Sequence, residues 1–424
     1  MKIAVAGTGY VGLVTGVCLA EKGHSVTCVD VDEKKIALLN SGKSPIFEPG
    51  LEELMLRNRK KLTYTTDYRS AYSGCDVVFI GVGTPEKKDG SANLSYVFAV
   101  CAQIRDCLTA DCIVVVKSTV PIGTNEKIRQ FFADCPFAVS IVSNPEFLAQ
   151  GTAVHDTLYP SRIVIGADDA RAAERMKELY RGFNAPVLTM NRQSAEMVKY
   201  ASNDFLALKL SYINEIANLC EIVGADIADV TTGMGYDPRI GKNFLNAGIG
   251  YGGSCFPKDT KALHWLANYH DYELKTIKAA IDVNENQKLK LLKKARKYYA
   301  SLQGVKVAVL GLTFKPNTDD LREAPSLINI PILLEDGARI SVYDPVGMDN
   351  FRRLGYSVKE CASIDDCIED AELCLIFTEW KEIVEYPLSD YKTKMKAPIV
   401  LDGRNCYSPQ AAKQAGLIYE GIGR

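Results

Sequence analysis

Thirty residues, from Ser194 to Val223, pass without a glycine or a proline. The stretch SAEMVKYASNDFLALKLSYINEIANLCEIV has helical periodicity, and Ser194 followed by Glu196 and Met197 reads as a helix start. A helix of this length spans about 45 Å at 1.5 Å per residue. Such a rod suits a connection between two domains, and its apolar positions can also pair with a second subunit.

The flanks of the rod share one pattern. Ahead of it, the short apolar runs KIAVAG, SVTCVDV, CDVVFIGV, CIVVVKST, AVSIVSN and RIVIGA alternate with helical stretches such as YVGLVTGVCLAEKG. Behind it, from about Gln303, VKVAVLGL, ARISVYDP, ELCLIFT and PIVLDGR repeat the character of the first four matching runs. Continuous β-branched runs between helices indicate parallel βαβ units. The expected fold is therefore α/β, with two Rossmann-like doubly wound parallel-sheet domains joined by a long central helix. The expected divisions are 1–193, a nucleotide-binding domain; 194–300, a helical region; and 301–424, a second Rossmann-like domain. A chain of 424 residues is long enough for two or three cores. Further helices are expected near 257–269 and 273–300.

The first strand leads into GTGYVG. Gly7 permits a tight turn, Gly9 lets the backbone approach a pyrophosphate, and Gly12 allows close helix–strand packing. The helix N-terminus that follows favours phosphate charge. Asp30 ends the second strand and should accept hydrogen bonds from a ribose diol, which favours NAD over NADP; Lys34 and Lys35 lie close by in sequence. Two more loops leave strand ends on the same edge, GVGTP and KSTVPIGT, so Thr84, Pro85, Ser118 and Thr119 are candidates to line the cofactor. In the second domain Asp344 repeats Asp30, but no GxxG follows Gly311. That domain is expected to bind something other than a dinucleotide pyrophosphate, or only to pack.

Composition removes other classes. Fifty Lys and Arg stand against 52 Asp and Glu, so no basic excess points to nucleic acid or an anionic membrane. No run reaches the roughly 18 apolar residues of a membrane span. Glycines interrupt the apolar start MKIAVAGTGYVG, so it is read as strand and fingerprint, not as a leader, and a cytoplasmic protein is expected. Thirteen cysteines without a CxxC pair, beside four histidines, predict neither zinc ligation nor a disulfide framework, and no metal is expected.

One of those cysteines stands apart. In GIGYGGSCFPKD, Cys255 follows glycines at 248, 250, 252 and 253 and precedes Pro257 and Asp259. Pro257 suits the first position of a helix, which places Cys255 just ahead of a helix N-terminus, where partial positive charge favours thiolate. A nucleophilic cysteine in a dehydrogenase captures an aldehyde as a thiohemiacetal; a second hydride transfer gives a thioester, and water releases an acid. Lys199 and Asn203, four apart on the long helix, share a face and could hold an oxyanion or hydroxyl. Glu146, in a loop after a strand, could be a base or a helix-capping acid.

Ten stretches, in order, resemble the UDP-glucose/GDP-mannose dehydrogenase family over essentially the whole chain. They are KIAVAGTGYVG, FEPGLEELM, GVGTP, KSTVPIGT, SNPEFLAQGTA, VKYASN, DPRIG, GGSCFPKD, LTFKPNTDDLREAPS and LDGRN. The resemblance implies an NAD-binding N-terminal domain, a central helical dimerisation region and a C-terminal domain that helps bind the nucleotide sugar. It implies two successive oxidations at C6, consuming two NAD and one water. It implies Cys255 as nucleophile, Lys199 and Asn203 as oxyanion stabilisers, and Asp259 with Thr119 positioning a water. It gives Glu146 a part in thioester hydrolysis. Around NAD it implies Gly7, Gly9, Tyr10, Val11, Gly12, Asp30, Lys35, Thr84, Pro85, Thr119, Glu146, Lys258 and Arg322. For the sugar nucleotide it points, besides Lys199 and Asn203, to Phe147, Leu148, Phe244, Tyr251, Gly252, Phe314, Lys315 and Arg404. Arg239 matches an arginine that reaches the partner subunit's site. GGSCFPKD and FLNAGIGYGG look like the members acting on UDP-glucose, which yields UDP-glucuronate. Alternatives are the same chemistry on a UDP-N-acetyl sugar or GDP-mannose, a two-electron hydroxyacid dehydrogenase, and a non-catalytic binding module.

Overall fold

The computed structural model describes residues 1–424 as two compact units, Met1–Ser202 and Asn203–Arg424. The boundary falls inside one continuous helix, Arg192–Val223, which starts two residues before the predicted Ser194.

The first unit holds an eight-stranded sheet. Its strands are β1 (Lys2–Ala6), β2 (Ser25–Val29), β3 (Leu62–Thr65), β4 (Val77–Ile80), β5 (Cys112–Val116), β6 (Val139–Ser143), β7 (Ile163–Gly166) and β8 (Val187–Met190), in the order β3-β2-β1-β4-β5-β6-β7-β8. The first six follow the doubly wound 3-2-1-4-5-6 order. Alternate residues of β1 enter opposite cores. Ile3 and Val5 pack with Leu13 and Val17 of the helix Tyr10–Glu21, while Ala4 and Ala6 pack with Val97, Cys101 and Ile104. A strand covered on both faces has no polar side to show, which is why these runs are continuously apolar. One pairing departs from expectation: β7 meets β6 antiparallel, through Ser143 and Gly166, and only β8 runs parallel to β7.

The second unit carries β9 (Lys306–Leu310), β10 (Arg339–Tyr343), β11 (Lys359–Glu360), β12 (Leu373–Ile376), β13 (Ile399–Asp402) and β14 (Ile418–Glu420). Their order, β11-β10-β9-β12-β13-β14, is again 3-2-1-4-5-6, and all pairs are parallel. The internal repeat read from the sequence is thus a repeat of topology.

The two equivalent aspartates have opposite fates. Asp30 receives the amide and hydroxyl of Thr8 on one oxygen, at 2.8 and 2.6 Å, and the Asp32 amide on the other at 3.0 Å. Burial pushes the Asp30 carboxyl up, but these hydrogen bonds and Lys35, 4.0 Å away, outweigh it and hold it below its ordinary range. Asp344 is 1% exposed and takes six hydrogen bonds from its own unit. They come from the amides of Leu312, Thr313, Val346 and Gly347, the Thr313 hydroxyl and the Trp380 indole. A carboxylate offers about four lone-pair sites. Asp344 has none to spare for a ribose, so the second Rossmann-like domain has turned its acid into a structural clasp.

Candidate functional site

The three fingerprint glycines are glycine for different reasons. Gly7 has φ +96°, and a Cβ at Gly12 would stand 2.0 Å from the Gly7 carbonyl oxygen. Those two keep the turn and the helix closed on each other. A Cβ at Gly9 would meet nothing within 4 Å, although Gly9 has an ordinary φ of −80°. Nothing inside the protein requires a glycine there, and the bare backbone leaves room for another molecule to come close. Gly9 is also the N-cap of the helix Tyr10–Glu21 and has no side chain to satisfy the first amides, which leaves them for an anion. With Asp30 at the end of β2, the residues present fit a dinucleotide. Tyr10 and Val11 begin the helix half-buried, and the Tyr10 hydroxyl is tied to the Phe47 carbonyl at 2.9 Å.

The neighbouring loops are fixed by buried polar groups. The Thr84 hydroxyl donates to the Thr119 carbonyl at 2.9 Å, while Pro85 is exposed. Ser118 spends its hydroxyl on the Val82 carbonyl, at 2.6 Å, so it holds the loop and does not face outward as a donor. Two acids to which the sequence analysis assigns no part in the site complete the frame. Glu196, on the long helix, accepts from the amides of Gly123 and Asn125 and from the Asn125 side chain, at 2.6, 2.8 and 2.6 Å. Glu48, in FEPG, accepts from the amides of Gly151 and Ala153, both at 2.7 Å. The first anchors the end of KSTVPIGT, and the second anchors the end of NPEFLAQG and the start of the helix Ala153–Leu158.

Inside the first unit Lys199 is not solvated. Its ammonium stands 3.0 Å from Glu146, and the Glu146 carboxylate also accepts from the Leu148 amide at 2.8 Å. Two cations lie near the Phe147 ring, Arg162 3.8 Å and Lys199 5.5 Å from its centroid. Beside this group is a cavity of about 200 Å³ lined by Lys117, Asn144, Glu146, Arg162 and Tyr180. The Lys117 ammonium donates to Asn144, at 3.1 Å, and to the Tyr180 hydroxyl, at 3.4 Å. Burial drives the Lys117 pKa down to about 8 against the pull of Glu146, with Lys199 adding repulsion.

In the second unit the helix Phe256–Tyr269 begins with Cys255 as its N-cap, so Pro257 is the second helical residue and not the first, as the sequence reading had it. Cys255 is the only exposed cysteine of the thirteen. Burial pushes Cys18, Cys28, Cys101 and Cys112 up to about 12. These are packed thiols, whereas Cys255 stands open at the positive end of a helix. One turn on, Asp259 is 1% exposed; Asn203 donates to one of its oxygens at 2.7 Å, and Lys258 pairs with the other.

The glycines ahead of Cys255 are pinned. A Cβ at Gly252 would stand 2.3 Å from the Glu323 carbonyl, and one at Gly253 would stand 2.8 Å from the Phe314 ring. The Gly253 amide donates to the Arg322 carbonyl at 2.8 Å. Tyr251 is buried edge-on to Phe256, and Phe244, in the left-handed region at φ +62°, tilts against the same ring. Arg404 donates to the carbonyls of Phe377, Gly250 and Phe314, at 2.8, 3.2 and 3.0 Å, so it braces this loop. Lys315 lies 5.7 Å from the Phe314 ring centroid. Arg322 and Arg239 are exposed; their guanidiniums pair with Asp320 and Asp237, each two residues away.

Residues 1–184 match the NAD binding domain of the UDP-glucose/GDP-mannose dehydrogenase family, 193–286 its central domain and 308–409 its UDP binding domain. A UDP-glucose 6-dehydrogenase of Bacillus subtilis, YwqF, is 47% identical over 430 residues, covering 100% of this chain and 98% of that protein. One from Rhizobium meliloti is 46% identical and covered in full, as is this chain. A UDP-glucose dehydrogenase structure from the archaeon Pyrobaculum islandicum superposes with a TM-score of 0.93 at 39% identity, over 99% of this chain and 97% of that one. The chain belongs to the UDP-glucose/GDP-mannose dehydrogenase family.

Proposed function

We propose that this chain oxidises the C6 alcohol of UDP-glucose to the carboxylate of UDP-glucuronate, in two NAD-dependent steps and one hydrolysis. The observation that carries the reading is Cys255, the one exposed thiol, at a helix N-terminus one turn from buried Asp259. Full-length relatives that are UDP-glucose 6-dehydrogenases supply the substrate. Each oxidation passes a hydride to one NAD. The thiolate adds to the C6 aldehyde, the thiohemiacetal is oxidised to a thioester, and water then forms the new C–O bond as the C–S bond breaks. Lys199 and Asn203, one turn apart on one helix, serve the oxygen on which negative charge develops. Asp259, Glu146 and Thr119 serve the hydrolytic water, and Arg239, Arg404, Lys315 and the aromatic residues around Tyr251 serve the nucleotide sugar.

The same reading makes the protein a cytoplasmic homodimer joined through the central helix. Phe205, Tyr212 and Leu219 recur every seven residues on that helix and are 61, 50 and 51% exposed, an apolar stripe suited to a second copy. No helix is long and apolar enough to cross a membrane.

The deciding experiment offers UDP-glucose, UDP-galactose, UDP-N-acetyl sugars and GDP-mannose and counts NADH per sugar. Two NADH per UDP-glucose is expected. One NADH would reduce the chain to a two-electron dehydrogenase with a structural Cys255, and preference for another sugar would reassign the substrate.

A further inference from the structure

Asp204 is buried to 2% exposure, and both of its carboxyl oxygens lie out of solvent without a hydrogen-bond partner. No other carboxylate of the chain has both oxygens in that state. Buried polar groups are nearly always hydrogen-bonded, and an ionised one without partners is driven to neutrality.

Its surroundings say why it is there. Asn203, the residue before it, donates to Asp259, and Lys258 holds the other Asp259 oxygen. Asp204, the next residue along the long helix, lies within electrostatic reach of the same pair, Asp259 and Lys258 of the helix Phe256–Tyr269, and of buried Tyr251. Two carboxylates therefore compete for one ammonium. Asp259 has both the amide and the ammonium; Asp204 has neither. Burial first, and then repulsion from Asp259, raise the Asp204 pKa to about 8, with Lys258 opposing. An environment that raises one acid beside another in this way gives it a separate role.

We propose that Asp204 is a positioning residue: it keeps its proton and so leaves Lys258 to Asp259 alone. The role rests on the functional reading above, in which Asp259 serves hydrolysis. When Asp204 gives its proton to solvent base, a second carboxylate draws on Lys258 and the orientation of Asp259 is lost.

Two measurements test this on the full-length protein. The first is melting temperature against pH for the wild type, Asp204→Asn and Asp204→Leu. The native Asp204 holds its proton up to about pH 8, while the unfolded chain releases it near about pH 4. Between those values the native state binds more protons, so rising pH erodes wild-type stability and neither variant shares the loss. The melting temperature of both variants minus that of the wild type should widen by several degrees from about pH 5 to about pH 8, then level. A constant gap overturns the proposal. Widening in the Asn variant alone would assign the effect to new amide hydrogen bonds and overturn it equally.

The second is the pH profile of UDP-glucuronate formation. Wild-type kcat should fall on the alkaline side as Asp204 ionises, and in Asp204→Asn that fall should move to higher pH or vanish. Superimposable alkaline limbs overturn the positioning role. The thermal measurement needs no substrate, so a chain that left UDP-glucose untouched would defeat the functional reading and the positioning role while the charge state of Asp204 is still decided.

Discussion

The Lys199 ammonium and the Glu146 carboxylate stand 3.0 Å apart, with side chains 4 and 5% exposed. Two charges so far from water are held by each other, and either one left alone is costly. Lys199→Met should destabilise the protein by about 3–5 kcal/mol, because Glu146 would remain charged and buried. The double variant with Glu146→Gln should recover most of that loss, yet remain inactive. Urea unfolding of the four proteins of this cycle measures the coupling; additive losses would show that the pair contributes nothing to stability.

The fingerprint glycines separate folding from binding. Gly12→Ala puts a Cβ 2.0 Å from the Gly7 carbonyl and should cost about 3 kcal/mol or more. Gly9→Ala enters open space at an ordinary φ, so its melting temperature should match or slightly exceed the wild type. NAD affinity should instead fall in Gly9→Ala, by tenfold or more on the scale of about 1.4 kcal/mol per decade. Calorimetric titration with NAD and thermal melts of both variants check the division. Equal NAD affinity in Gly9→Ala would mean that the backbone at this position does not approach the cofactor.

Much of this was readable from the residues, and the omissions have a physical pattern. Ten strands stand out in the sequence as apolar runs, and the four that do not, β3, β8, β11 and β14, are the edges of the two sheets. Interior strands are covered on both faces and show as continuous apolar runs; edges such as Val187–Met190, with a half-exposed pattern, do not. The same reasoning explains the site. Cys255 could be picked out because its neighbours, glycines and a proline, act through the local backbone. For Lys199 the sequence shows only a helix face shared with Asn203, because its partner, Glu146, is 53 positions away in the chain. Asp204 was passed over for the same cause: only folding brings Asp259 and Lys258 to it.

Cysteine chemistry gives a direct check on the nucleophile. Twelve of the thirteen thiols are buried or half-buried, and burial pushes Cys18 and Cys28, for example, up to about 12. Limiting iodoacetamide should therefore label native protein at one site, Cys255, and the labelling should track loss of activity. Cys255→Ser should abolish acid formation, by about a thousandfold or more as expected when the nucleophile is removed. Its melting temperature should stay near the wild type, because the exposed Cys255 side chain makes no capping hydrogen bond to the helix. Peptide mapping by mass spectrometry reads the label. Modification spread over several cysteines would return Cys255 to the packed class.

Lys117 provides a prediction in the opposite pH direction from Asp204. Its native pKa is lowered to about 8 from 10.5, chiefly by burial, while the unfolded chain keeps the ordinary value. Between about pH 8 and 10.5 the unfolded state therefore binds more protons, and stability attributable to this residue rises with pH. The full gain is on the order of 3 kcal/mol at 1.36 kcal/mol per pH unit. Lys117→Met removes the titration, so the wild type should gain on the variant as pH rises through this window and hold level below it. Denaturant unfolding of both proteins from about pH 7 to 10.5 measures the difference. A difference that stays flat across the window would mean that Lys117 keeps an ordinary affinity for its proton, and that water fills the cavity beside Asn144 and Tyr180 well enough to solvate a buried ammonium.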